Sequence, residues 1–145
     1  MIGGIRRWIV AGWSVEVFAI AFALNSIWEL AQAPLYQSMG SAWEATRRCF
    51  VASVGDGALI LIILTAIRGL AGRASVERQY TLAVVFGVAV ASAVEWWGLT
   101  AGRWAYGPQM PIVPGTALGI VPLLQLAILT PLTMWCAGRT TVERA

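Results

Sequence analysis

Residues 13–34 read WSVEVFAIAFALNSIWELAQAP, and this stretch decides the fold. It is long enough to cross a bilayer as a helix, which takes about 20 predominantly apolar residues. Pro34 has no N–H to donate and disfavours the helical region for Ala33, so the helix is expected to stop there. Three more runs of the same kind follow, at about 49–70, 80–99 and 116–137. Gly69, Gly72 and Arg73 close the second, Gly98 and Gly102 the third, and Gly138 the fourth. Pro122 and Pro131 fall inside the fourth run and are expected to bend it. Only helices or closed barrels satisfy the backbone in lipid, and these runs have helix length. The expected fold is an all-α, integral membrane four-helix bundle in a single domain over 1–145.

Composition supports the same class. Of 145 residues 59% are apolar and 12% charged, and the mean hydropathy is +0.73. A soluble domain is about 45–50% apolar and about 25% charged. The chain has no His, which removes the usual ligands of haem, di-iron and His-ligated zinc sites. It also has no Lys, so a retinal Schiff base cannot form. Two cysteines, Cys49 and Cys136, are too few for a metal cluster. Neither a metal nor a cofactor is expected, and the net charge of +3 reads as a topology signal rather than as nucleic-acid binding.

All ten basic residues are Arg. In a four-span chain Arg6, Arg7, Arg68, Arg73, Arg78, Arg139 and Arg144 share one side, and Arg47, Arg48 and Arg103 the other. Seven against three places both termini in the cytoplasm by the positive-inside rule. Trp8, Trp13, Trp43 and Trp135 fall at span ends, as an interfacial aromatic belt does. The first run carries Glu16, Asn25 and Glu29 and reads as a retained helix rather than a signal peptide. The expected location is the bacterial inner membrane.

Polar side chains inside the spans are the candidate site. An ionisable group there costs about 2.5–3.5 kcal/mol on insertion scales, which makes it a functional candidate by default. Glu29, Asp56 and Glu95 occupy three spans and Gln125 the fourth. With adjacent spans antiparallel, all four lie toward one face of the membrane, the outer one. Asn25, Glu29 and Gln32 follow i, i+4, i+7 and share a helix stripe flanked by Trp28. Asp56 sits between Gly55 and Gly57, which permit close approach. Trp96 and Trp97 follow Glu95 directly. Amides also act as inter-helix glue, worth roughly 0.6 kcal/mol each, so Asn25, Gln32 and Gln125 have a purely structural reading as well. The loop 102–115, GRWAYGPQMPIVPG, holds three prolines and three glycines and is too apolar to be solvated. It is expected to be partly re-entrant or to cap the bundle, with Arg103 paired to Glu95 and with Trp104 and Tyr106 over the mouth.

Short motifs carry a resemblance. Asn25-Ser-Ile-Trp-Glu29 resembles the N-x-x-W-E segment of integral-membrane terpene cyclases, in which the Glu is implicated in protonating the substrate. Glu95-Trp-Trp-Gly98 with Gly102-Arg-Trp-Ala-Tyr106 and Pro122 resembles the E-W-x-G … G-x-x-Y pattern of carotenoid hydratases and small lycopene cyclases. Trp28 to Tyr36, Gly55-Asp56, Met110-Pro111 and Pro122 to Gln125 are similar to segments of small bacterial four-span membrane proteins. The fungal cyclases have more spans, which implies a homodimer here. The lycopene cyclases have paired acids after a proline, and this chain has none.

Acid-initiated chemistry suits these residues apart from any resemblance. Protonating an alkene or epoxide needs a carboxylic acid kept neutral by apolar surroundings. The carbocation that follows needs aromatic faces, each worth roughly 0.5–2 kcal/mol. The leading expectation is an outer-leaflet pocket for an isoprenoid or other lipid, working as a cofactor-free cyclase or hydratase. Glu29 is its acid, with Asp56 and Glu95 as partner or base. Asn25, Trp28, Gln32, Trp96, Trp97, Arg103, Trp104, Tyr106 and Gln125 are its binding residues. Two other classes stay open: an accessory subunit of a larger membrane complex that binds pigment, quinone or lipid, and a proton or ion pathway.

Overall fold

The computed structural model describes the backbone of residues 2–37 and 39–143, and side chains over 12–37 and 39–138. Among these residues are four long helices: α1 Ile2–Gln32, α2 Ala42–Ala71, α3 Val76–Thr100 and α4 Ile120–Glu143. A 3-10 turn, Ala33–Leu35, follows α1. Each helix has a segment long and apolar enough to cross a membrane: Gly12–Leu35, Ala42–Ala71, Val76–Thr100 and Ile120–Gly138. The chain is therefore an all-α membrane protein. Of the residues in the Arg count and the aromatic belt, Arg6, Arg7, Trp8, Arg139 and Arg144 lie outside the described side chains.

Three helix ends differ from the hydropathy reading, each for a local reason. α2 starts two turns before residue 49, because Ser41 and Glu44 form a capping box that satisfies free N–H groups at its start. Ser75 caps α3 by accepting from the Arg78 N–H, so α3 starts at Val76 rather than near 80. α4 starts at Ile120 rather than 116. Residues 116–119 belong to a small hairpin instead, in which the Val113 N–H donates to Leu118 O and the Ile120 N–H to Pro111 O. Pro122 thus lies in the first turn of α4, where its missing N–H costs nothing, and only Pro131 interrupts the helix interior.

α1 packs on α2, α3 on α4, and α1 on α4, while the α2–α3 side of the ring is the most sparsely packed. Small residues set the tight seams. Ala83, Gly87 and Ala91 recur every fourth residue on α3 and are buried. A Cβ on Gly87 would stand 2.5 Å from the Leu126 carbonyl oxygen of α4. Backbones in lipid associate through such small stripes, where dispersion contacts replace the hydrophobic effect.

The two ends of the bundle differ in chemistry. One end is apolar, built from Val17, Ala21, Ile60, Ile63, Leu64, Ile67, Ala83, Leu129 and Ala137. There Arg68 lies 4.7 Å over the Trp13 ring. The other end holds the polar residues and a cavity. Outward faces are apolar on every helix, as with Ile27 (69% exposed), Ile62 (64%), Val85 (53%) and Ile128 (45%). A protein in water avoids such a surface.

The connection 101–119 is ordered. Gly102, at φ 64°, ends α3 in a Schellman motif: its N–H donates to Leu99 O, and the Arg103 N–H to Gly98 O. The loop then pairs with the chain leaving α1. The Gln37 N–H donates to Ala105 O at 2.8 Å and the Gly107 N–H to Leu35 O at 2.7 Å. This ties the loop across the polar end of the bundle.

Gly87→Val pushes α3 away from α4 and is expected to cost about 1–3 kcal/mol of stability, the usual range for overpacking. Thermal unfolding in detergent, followed by circular dichroism, reads this. Gly69→Ala, where an added methyl meets nothing within 4 Å, is expected to match or exceed wild type.

Candidate functional site

At the polar end, Gln125 of α4 faces the Asn25–Glu29–Gln32 stripe of α1 and Asp56 of α2. Its Nε2 lies 2.9 Å from Asn25 Oδ1, 2.9 Å from Glu29 Oε1 and 2.8 Å from Asp56 Oδ2. A carboxamide has two N–H groups, so three acceptors compete for two hydrogens. Gln125 Oε1 accepts from Gln32 Nε2 at 2.8 Å, and Gln32 Nε2 also donates to Glu29 Oε1 at 2.7 Å. Two flanking bonds orient the amides: Trp28 Nε1 donates to Gln32 Oε1 at 3.2 Å, and Asn25 Nδ2 to Ala21 O at 2.8 Å. Glu29 Oε1 and Asp56 Oδ2 thus converge on the same Gln125 nitrogen. Two carboxyls this close in apolar surroundings disfavour double ionisation, so such a pair tends to retain a proton.

Glu95 has different company. One of its oxygens, Oε2, accepts from the Tyr106 hydroxyl and from Trp104 Nε1, the latter at 3.2 Å. The Tyr106 oxygen in turn accepts the Gly119 N–H at 3.0 Å. Trp104 reaches Glu95 because its ring lies directly on Gly98, where any side chain would displace it. Burial, then the bond to Glu95, pushes the Tyr106 phenol above its ordinary range, so it remains a donor at neutral pH. Burial, with the nearby Glu95 and Glu29 charges, pushes Tyr36 up as well. The Tyr36 and Tyr106 rings pack with centroids 5.6 Å apart.

These groups surround a cavity of about 600 Å³. That is within the range of small-molecule sites, about 300–1,000 Å³. Glu29, Gln32, Asp56, Glu95 and Gln125 line it together with apolar Leu59, Ala91, Val94 and Leu126. Trp97, Arg103 and Trp104 also line it. Asn25 and Trp28 do not; each holds an amide in place from behind. Tyr106 acts on the wall through Glu95.

Two expectations are corrected. Trp96 is 65% exposed and is not part of the cavity wall: it follows Glu95 by one residue, about 100° around the helix, and faces outward. Arg103 does not pair with Glu95. The Schellman turn carries it over the Trp97 ring, at 5.8 Å, and Glu95 takes Tyr106 and Trp104 as partners.

Tyr36, Arg47, Arg48 and Cys49 also line the cavity and were not among the expected site residues. The Arg count treats Arg47 and Arg48 only as topology signals; the sequence clue to their place is that Arg48 and Ala52 precede Asp56 at intervals of four on α2. Among the described residues no group of three or more His, Cys, Asp or Glu is arranged to hold a metal ion.

Tyr106→Phe removes a donor from Glu95 and the acceptor of the Gly119 N–H. Hydrogen exchange in 101–119 is expected to rise by about five- to tenfold, as for the loss of one net hydrogen bond. An unchanged exchange pattern would show that the loop does not depend on this contact.

No protein-family model, curated protein or solved structure matches this chain.

Proposed function

We propose that this chain is a bacterial inner-membrane protein with both termini in the cytoplasm and its cavity in the outer leaflet, capped by the 101–119 loop. The cavity takes an isoprenoid-type lipid and works as a cofactor-free, acid-initiated cyclase or hydratase. The observation that carries this reading is the convergence of the Glu29 and Asp56 carboxyls on one Gln125 amide at the wall of a largely apolar cavity; a pair so placed retains a proton to give. A substrate double bond placed there takes the proton, and its π pair becomes the new C–H bond. The carbocation lies near the Trp97 and Trp104 rings, whose faces stabilise cations. A second double bond closes a ring on it, or water adds to it. Glu95, already placed as an acceptor, takes the proton released, and solvent returns one to the Glu29–Asp56 pair. No net oxidation occurs.

The Gln125 geometry favours a second reading. One carboxamide joins α1, α2 and α4, as structural glue in an accessory subunit would. Glu29→Gln separates the two readings. It keeps volume and hydrogen-bonding capacity but removes the transferable proton. Under the first reading the variant folds, retains co-purifying lipid and loses turnover of linear polyprenyl substrates by about 10²–10⁴-fold, measured by product mass spectrometry. Asp56→Asn, which breaks the same pair from its other side, is expected to do likewise. Wild-type product formation by Glu29→Gln rules it out as the donor.

The orientation has its own test. A cysteine placed at residue 145 is expected to react only with membrane-permeant maleimides in intact cells. Labelling by an impermeant reagent would move the cavity to the inner leaflet.

A further inference from the structure

Arg47 and Arg48 on α2 and Arg103 beyond α3 all line the same cavity, and all three are exposed. They come from opposite walls, across the sparsely packed α2–α3 side. Among the described residues none of them forms an ion pair. The acid nearest Arg47 and Arg48 in sequence, Glu44, accepts the Ser41 N–H at 2.7 Å in the capping box and acts on both arginines through space without forming an ion pair. The cavity acids are occupied too, Glu29 by Gln32 and Gln125, Asp56 by Gln125, and Glu95 by Tyr106 and Trp104. The rim therefore carries three positive charges that the acids of the cavity do not neutralise. Arg offers planar pairs of N–H donors that fit phosphate oxygens two at a time.

Depth separates Arg48 from Asp56. Arg48 and Asp56 are eight residues apart on α2, which is about 12 Å along the axis at 1.5 Å per residue. Val51, Ala52 and Gly55 form the cavity wall between them, small or apolar all the way. Val51 (60% exposed) and Trp97 (52%) stand at the α2–α3 side, where an acyl or prenyl chain in the bilayer meets the cavity directly.

We infer that the cavity binds a single-chain amphiphile with a phosphate or diphosphate head, held by Arg47, Arg48 and Arg103, with its apolar chain running inward to the carboxyl pair. This rests on the proposed lipid chemistry and sharpens it. The head group sits at the rim, away from Asp56, so it anchors the substrate and is not expelled. Reaction begins at a double bond well along the chain.

The test uses the full-length protein in nanodiscs of zwitterionic lipid, with binding read from tryptophan fluorescence. The probes are farnesyl phosphate, farnesol and inorganic diphosphate. Farnesyl phosphate is expected to bind at least about tenfold more tightly than farnesol, with an affinity that falls as salt rises. Arg47→Gln, Arg48→Gln and Arg103→Gln are each expected to weaken farnesyl phosphate by about tenfold and farnesol by little. Arg78→Gln, at the opposite end of the bundle, is the control and is expected to bind as wild type. Equal binding of farnesol and farnesyl phosphate, or arginine variants that bind as wild type, overturns the inference. Inorganic diphosphate binding as tightly as farnesyl phosphate also overturns it, since the site would then be for a free anion. If phosphate-dependent binding holds while no probe is converted to product, the inference stands and the catalytic reading fails.

Discussion

The carboxamide of Gln125 is the contact on which the polar end depends. It reaches Asn25 and Glu29 on α1 and Asp56 on α2 from a position on α4. Three of the four helices are thus joined through one side chain. In lipid the alternative is an unmet polar group in hydrocarbon, which costs more than it would in water. Around Gln125 three acceptors meet two hydrogens, and two of the acceptors are carboxyls, so a proton kept on either one relieves the shortfall. Glu29, Asp56 and Gln125, which join the helices, also line the cavity.

The fourth helix of the ring is held by other means. α3 meets α4 through backbone contact at Gly87, and its acid, Glu95, is served by the loop that follows it. Glu95 therefore depends on the loop, whereas Glu29 and Asp56 depend on the helices. The two sets of carboxyls are thus held by different parts of the protein.

The helices and the polar stripe were legible because each rests on a periodic signal. Apolar length gave the spans, and the i, i+4, i+7 spacing placed Asn25, Glu29 and Gln32 on one face. What was not legible depends on turns and on rotation about a helix axis. Trp96 and Trp97 are adjacent, and hydropathy cannot tell which one faces the cavity. Opposite charge suggested Glu95 with Arg103, but a glycine at positive φ turned the arginine away and brought two aromatic donors in. The start of α2 was hidden because Arg47 and Arg48 lower the local hydropathy, although the Ser41–Glu44 capping box was there to be read. The start of α4 was hidden because Thr116 to Gly119 are apolar enough to pass for helix while their backbone bonds belong to a hairpin.

Gln125 lies on α4, which leaves the ribosome after α1, α2 and α3, and this orders assembly. Until α4 arrives, Asn25, Glu29 and Asp56 have no fourth-helix partner and must find one another, water or lipid head groups. The first three helices alone therefore lack the amide that joins these groups in the full bundle. Arrival of α4 supplies the amide, closes the α1–α4 seam and carries Gly119 to the Tyr106 hydroxyl. One insertion step thus completes the bundle, the proton-holding pair and the cap, so a chain that stalls before this step has the acids without the site.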